Sequence, residues 1–234
     1  MNDSDTRHNH LGQPVGFPVP GWTPRLAPPR TPIIGRFARV EPLDPDRHAA
    51  ELFEANSEDR EGRNWTYYNY GPFATLADYR KWVEDSRADK ARILHAIIDL
   101  VSGKAVGVAA YANIQPVHGT IEVAGLNFSP RLQRRPAATE AMYLMMRRVF
   151  DELGYRRYEW KCHALNERSR SAALRLGFTF EGIFRQHLII KGRSRDTAWF
   201  SMLDSEWPDR KARFERWLAP DNFDREGRQL APLS

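Results

Sequence analysis

Three strand-like runs follow one another between helical stretches, and that order limits the fold more than any other feature of the sequence. Ile93–Leu100, Val106–Ile114 and Thr120–Phe128 are short and rich in apolar residues, and turn chemistry separates them: Ser102-Gly103-Lys104, then Val117-His118-Gly119. Connections this short join antiparallel neighbours. Upstream, Ile33–Leu43 alternates as a strand. A helix then starts at Pro45 behind the capping residue Asp44, and Leu76–Arg87 repeats the helical spacing. Downstream, a helix runs from Pro136 to Leu153 and stops at Gly154, followed by a strand at Tyr158–His163. A second helix at Glu167–Leu176 ends at Gly177, and two strands, Phe178–Ile190 and Asp196–Leu203, flank a basic Lys191–Arg195 turn. This order predicts an α+β (mixed α/β) fold, with a central, mostly antiparallel twisted sheet of about seven strands flanked by helices.

Around that core the chain reads as three regions. Residues 1–32 hold seven prolines and little apolar periodicity, which predicts an extended arm. Residues 33–204 form the predicted domain, and residues 205–234 a C-terminal helical extension and tail. Within Glu206–Phe223, Phe214, Trp217 and Leu218 fall on one apolar face. That face must bury against the domain, the arm or a second copy of the chain, which leaves a homodimer open.

The composition excludes several classes. The one cysteine, Cys162, rules out an internal disulfide framework and argues against a structural zinc site, so no metal is expected. The apolar runs fall far short of the roughly 20 residues a membrane helix needs. The first residues lack the basic-then-apolar layout of a secretory signal, which predicts a cytoplasmic protein with no membrane partner. From Arg131 to Arg195 there are fifteen Lys and Arg against six Asp and Glu. A segment so basic fits a polyanionic ligand, either a phosphate-rich small molecule or nucleic acid. The sequence carries no helix-turn-helix, RNA-recognition or zinc-finger signature, which ranks nucleic acid well below.

The chemistry is carried by the strand–loop–helix junction from Ile121 to Glu140. Loop amides leading into a helix N-terminus make an anion cradle, because unpaired N–H groups and the helix dipole both favour negative charge. Arg134 and Arg135 add charge at its mouth, and Pro136 suits the first helical position. The alternative reading, an ordinary strand–helix turn, is equally open on this segment alone.

Here the sequence resembles the Gcn5-related N-acetyltransferase (GNAT) superfamily. The family's Gln/Arg-x-x-Gly-x-Gly/Ala signature is met by Gln133-x-x-Pro136-x-Ala138, followed by Thr139-Glu140-Ala141. Asn166-Glu-Arg-Ser169 through Leu176-Gly-Phe178 resembles the family's second conserved helix. It is most similar to the Rim-type branch, which includes ribosomal-protein N-terminal acetyltransferases, as are Glu181–Arg185 and Gly192–Thr197. Pro136 departs from the family pattern and removes one possible N–H donor.

The resemblance implies acetyl-CoA as acyl donor and direct attack by an amine acceptor. It implies cofactor contacts from Leu126, Asn127, Phe128, Gln133, Arg134, Arg135, Ala137, Ala138, Thr139, Asn166 and Ser169. It further implies Glu122 as general base and Ser169 as hydrogen-bond donor to the departing thiolate, since the usual helix tyrosine is Ala173 here. The residues also admit plainer readings: Glu122 as an ion-paired strand residue, Asn166 as a helix cap, Ser169 in a local helix-start bond. The aromatic loop around Trp65, Tyr67, Tyr68 and Tyr70 occupies the substrate-side wall in that resemblance, although some of its rings must fold back on the core. Cys162 and His163 are adjacent on a strand, point to opposite faces and do not form a catalytic pair.

Overall fold

The computed structural model describes residues 7–233. In chain order the elements are β1 (Arg7–His8), β2 (Pro14–Val15), β3 (Ile33–Ile34), β4 (Ala38–Pro42), α1 (Pro45–Ser57), α2 (Leu76–Ala88), β5 (Arg92–Asp99), β6 (Lys104–Gln115), β7 (Thr120–Phe128), α3 (Pro136–Arg147), β8 (Arg157–His163), α4 (Glu167–Arg175), β9 (Thr179–Ile190), β10 (Arg193–Leu203) and α5 (Trp207–Leu218). Eight strands form one sheet in the order β3-β4-β5-β6-β7-β8-β10-β9, antiparallel throughout except for the β7–β8 pair.

Sheet alternation explains why the helices divide between two faces. Along β5, Ile93 and Ile97 join a core with Met142, Met145 and Met146 of α3, Ala173 of α4 and Phe214 of α5. Leu94, Ala96 and Ile98 point the other way, to Ala49 and Leu52 of α1 and to Tyr79 and Val83 of α2. On β8 the alternation is clean: Tyr158, Trp160 and Cys162 are buried, and Arg157, Glu159, Lys161 and His163 are half-exposed. Cys162 is thus a free, buried thiol, with His163 on the opposite face.

Two details differ from the sequence expectation. The predicted first strand, Ile33–Leu43, is split into β3 and β4, which is why the sheet has eight strands. The cause lies 100 residues away: the buried carboxylate of Glu140 accepts the amides of Arg36 (2.8 Å), Phe37 (2.6 Å) and Ala38 (2.7 Å). Gly35 is required there, since a Cβ would lie 2.4 Å from that carboxyl carbon. The last hairpin also turns more tightly than a Lys191–Arg195 loop. Lys191 (φ 48°) and Gly192 (φ 73°) both adopt positive φ, the backbone of a two-residue turn that matches strand twist, so pairing resumes at once with Arg193 opposite Ile190.

The proline-rich arm drapes over the base of the sheet. Trp22 Nε1 donates to the Val117 carbonyl (2.8 Å), Tyr155 to Leu26 O (3.1 Å), and buried Arg148 to Thr31 O (2.7 Å). Residues 1–6 of the arm lie outside the described residues. At the other terminus, α5 sets Trp207, Phe214 and Trp217 into the α3 core, with Leu218 half-buried beside them. Among the described residues no helix is long and apolar enough to cross a membrane.

Candidate functional site

The site begins where two parallel strands part. β7 and β8 pair from Thr120–Arg157 to Val123–Trp160 and no further, although β7 continues to Phe128 and β8 to His163. One extra residue on β7 causes the separation. Its pairing with β6 slips between Ala124 and Asn127, around Gly125 at φ 59°. Such a bulge bends its strand, and glycine takes the left-handed conformation without a Cβ clash. Ala124, Gly125 and Leu126 consequently become half-exposed, and a wedge opens between the two strands.

The start of α3 closes one end of this wedge. Arg135 is the N-cap without a side-chain bond, and Pro136 supplies no N–H. Among the described residues the amides of Arg134 and Ala137 have no backbone acceptor. Arg134 sits at φ 60°, so the loop curls its amides toward one point, as anion-binding nests do. Both arginines are exposed, and neither has a carboxylate within ion-pair distance among the described residues. These features fit a pyrophosphate. Ala138 N bonds back to Arg135 O (3.1 Å), and Thr139 is buried, its hydroxyl accepting from Arg175 (3.1 Å).

Other expected cofactor residues are already engaged. Gln133 spends its side-chain nitrogen on Phe128 O (2.8 Å) and Asn64 Oδ1 (3.0 Å), tying the loop to the aromatic segment. The Leu126 carbonyl accepts from the Tyr68 hydroxyl. Asn127 is 1% exposed, and neither of its amide atoms is hydrogen bonded within the described residues. Asn166 caps α4 by accepting from Ser169 N (3.2 Å).

Glu122 and Ser169 lie on opposite sides of the sheet. Glu122, 6% exposed, accepts from Asn113 and forms a 2.9 Å ion pair with Lys161, which also reaches Glu159 (2.9 Å). Ser169 Oγ accepts from Trp160 Nε1 (3.0 Å), so its own proton remains available to donate. Its hydroxyl also hydrogen bonds toward the Cys162 thiol, which opposes the rise that burial imposes on that thiol's pKa.

The aromatic loop divides between two tasks. Trp65, Tyr68 and Tyr70 interleave with Phe73 and Trp82 in the α1–α2 core, and burial pushes the Tyr70 hydroxyl up to about 12. Tyr67 reaches across the wedge instead: its hydroxyl donates to Leu165 O (3.0 Å), and its ring lies 5.0 Å from that of His163. Lys191, at the tip of the last hairpin, ties to the same loop through Trp65 O (3.1 Å) and Gly71 O (3.0 Å).

Residues 39–179 match the family model for the GNAT acetyltransferase domain. The chain belongs to the GNAT family. A GCN5-related N-acetyltransferase from Brucella melitensis, known by crystal structure, is 48% identical, with a TM-score of 0.90 over 92% of this chain and 97% of that one. A Bacillus subtilis protein, "Putative ribosomal N-acetyltransferase YdaF", is 26% identical over 74% of this chain and 92% of its own length, in keeping with the Rim-like branch. The acetyltransferase MccE, crystallised with acetyl-CoA and AMP, shares the fold at 21% identity and a TM-score of 0.64.

For this GNAT protein the sequence pattern points to the cradle but not to the partners that tertiary structure adds. Gly125, a glycine inside a strand, is the signal that would have located the bulge. Lys161 and Asn113 carry no local signal, because they meet Glu122 only through strand pairing and a turn. Among the described residues no group of three or more His, Cys, Asp and Glu is placed to hold a metal ion.

Proposed function

We propose that the protein transfers an acetyl group from acetyl-CoA to a primary amine, on a peptide N-terminus or a small molecule, by direct attack in a ternary complex. The observation that carries this reading is the wedge between β7 and β8, with an unpartnered, arginine-flanked α3 N-terminus at one end. Bound there, the donor supplies an activated thioester; the chain's own residues do the rest.

The amides of Arg134 and Ala137 and the two guanidinium groups hold the diphosphate. Asn166 and the parted strand edges offer hydrogen bonds to the pantetheine arm. The Glu122 carboxylate, fixed by Asn113 and Lys161, accepts the proton of the incoming ammonium directly or through one water. Ser169, one of its lone pairs occupied by Trp160, donates its proton toward the leaving sulfur. Tyr67 roofs the passage by which the amine arrives.

Purified protein with acetyl-CoA and a panel of peptides and small amines should release free thiol only when an accepted amine is present, with the acetyl group recovered on that amine by mass spectrometry. CoA binding without thiol release across the panel would favour the contrary reading, an acyl-CoA-binding GNAT relative without activity.

A further inference from the structure

Beyond Glu122, the open face of the sheet carries a cation that the transfer chemistry does not use. β10 lies beside β8 with Thr197 opposite His163 and Trp199 opposite Lys161, so these four side chains share the face that bears Glu122. Lys161 Nζ sits 3.9 Å above the Trp199 ring. Next to them is Arg195, half-buried, its Nε donating to Thr197 Oγ1 at 3.1 Å. Thr197 is buried and also meets His187 Nδ1 (3.0 Å).

Several half-buried arginines in this molecule have an acidic partner. Arg157 takes Glu159 and Glu181, Arg131 takes Glu54 and Glu58, and Arg39 takes Glu41. Arg195 has none within ion-pair distance among the described residues, and its two terminal nitrogens have no hydrogen-bond partner there. They are not sealed in the interior either. Burial lowers its pKa, with Cys162 and then Glu122 opposing that shift, while Arg195 in turn depresses His163 after burial has done so. Strand register and the bond to Thr197 set Arg195 on the face that carries His163, whose ring lies 5.0 Å from Tyr67, and so beside the proposed acceptor cleft. A partly desolvated guanidinium whose terminal donors remain open to the cleft can take an anion in place of water, and the planar fork of arginine suits a carboxylate or phosphate.

We infer that Arg195 is a specificity-determining residue that receives an anionic group, carboxylate or phosphate, carried by the acceptor a few bonds from its reacting amine. The inference rests on the acetyl-transfer reading for the location of the acceptor, but binding alone tests it. Protein saturated with CoA, so that the diphosphate cradle is filled, is titrated by calorimetry with two matched pairs: the peptides Ser-Glu-Gly-amide and Ser-Gln-Gly-amide, and phosphoethanolamine and ethanolamine.

In the wild type the anionic member of at least one pair binds about tenfold tighter, the scale of one charge-assisted hydrogen bond. Which pair discriminates distinguishes carboxylate from phosphate. The preference disappears in Arg195→Gln, persists in Arg195→Lys, and shrinks in the wild type as sodium chloride is raised. The salt series and the lysine variant keep the test decisive should the glutamine variant lose its melting transition. Equal binding of both members of each pair, or an unchanged preference in Arg195→Gln, overturns the inference even if acetyl transfer is found. A preference that depends on Arg195 with no transfer to any amine overturns the acetyl-transfer reading and leaves the anion site standing.

Discussion

Glu122 and Ser169 face different demands, and their neighbours indicate how each variant should behave. Glu122→Gln keeps the shape but loses the proton acceptor, so turnover should fall roughly 10²–10⁴-fold with CoA affinity spared. Residual activity should climb with pH as the medium supplies neutral amine; near-normal turnover at neutral pH would place the base elsewhere. Ser169→Ala should cost less, because water can protonate a thiolate, and the loss should appear in kcat before cofactor binding. A second residue-scale consequence concerns His95, fully buried against Tyr111, with neither ring nitrogen hydrogen bonded. Burial, then the charges of Arg148 and Arg30, pushes its pKa down to about 4 from an ordinary 6.5. Between those values the unfolded chain binds the proton and the folded one does not, so this contribution to stability is complete above pH 6.5. It declines as pH falls toward 4, by about 3 kcal/mol in all. Chemical denaturation of His95→Leu should therefore lose less stability between pH 7 and pH 5 than the wild type; equal slopes would mean that the imidazole is not buried in its neutral form.

At the scale of elements, the proposed donor site is concentrated at the junction from β7 to α3. The bulge at Gly125 parts the strands, the loop turns at Arg134, and the helix begins with a proline that withholds one N–H. With that donor missing, the proposed phosphate interaction rests more on the flanking cations. Replacing Arg134 and Arg135 together by alanine should weaken CoA binding by about 1–3 kcal/mol, read by calorimetry at low ionic strength. Unchanged affinity would move the diphosphate to another part of the wedge. The local order of this element, strand, basic loop, proline, helix, was legible in the sequence. The roles of Gln133 and Tyr68 were not. Gln133 bonds Asn64 and the Tyr68 hydroxyl serves Leu126 O, and those contacts exist only after the α1–α2 loop folds onto the strand.

For the whole molecule, the two termini act as straps on one body. The arm binds the base of the sheet through Trp22, Leu26 and Thr31. The C-terminal helix covers α3, with Trp207 stacked 5.2 Å from Phe150, Phe214 5.5 Å from Tyr143, and Trp207 Nε1 donating to Asp151 (2.6 Å). Phe214→Ala should cost about 3–5 kcal/mol, as large aromatic truncations in a core do. Truncation before Asp209 should lower the melting temperature and the solubility, because it bares the aromatic surface of α3. A truncated protein as stable and soluble as the full chain would show that α5 is an appendage. The division between sequence and tertiary structure follows from range. The sequence by itself determined the helices, the strand succession and the α3 cradle, because periodicity, caps and turn residues act within a few positions. The tertiary structure alone decided the β3–β4 break imposed by Glu140, the Lys161 clasp on Glu122, and a setting for Arg195 with no acidic partner among the described residues. Each of these joins groups that meet only when strands and helices distant in the chain pack together, and a charge gains or loses its partner only in that final arrangement.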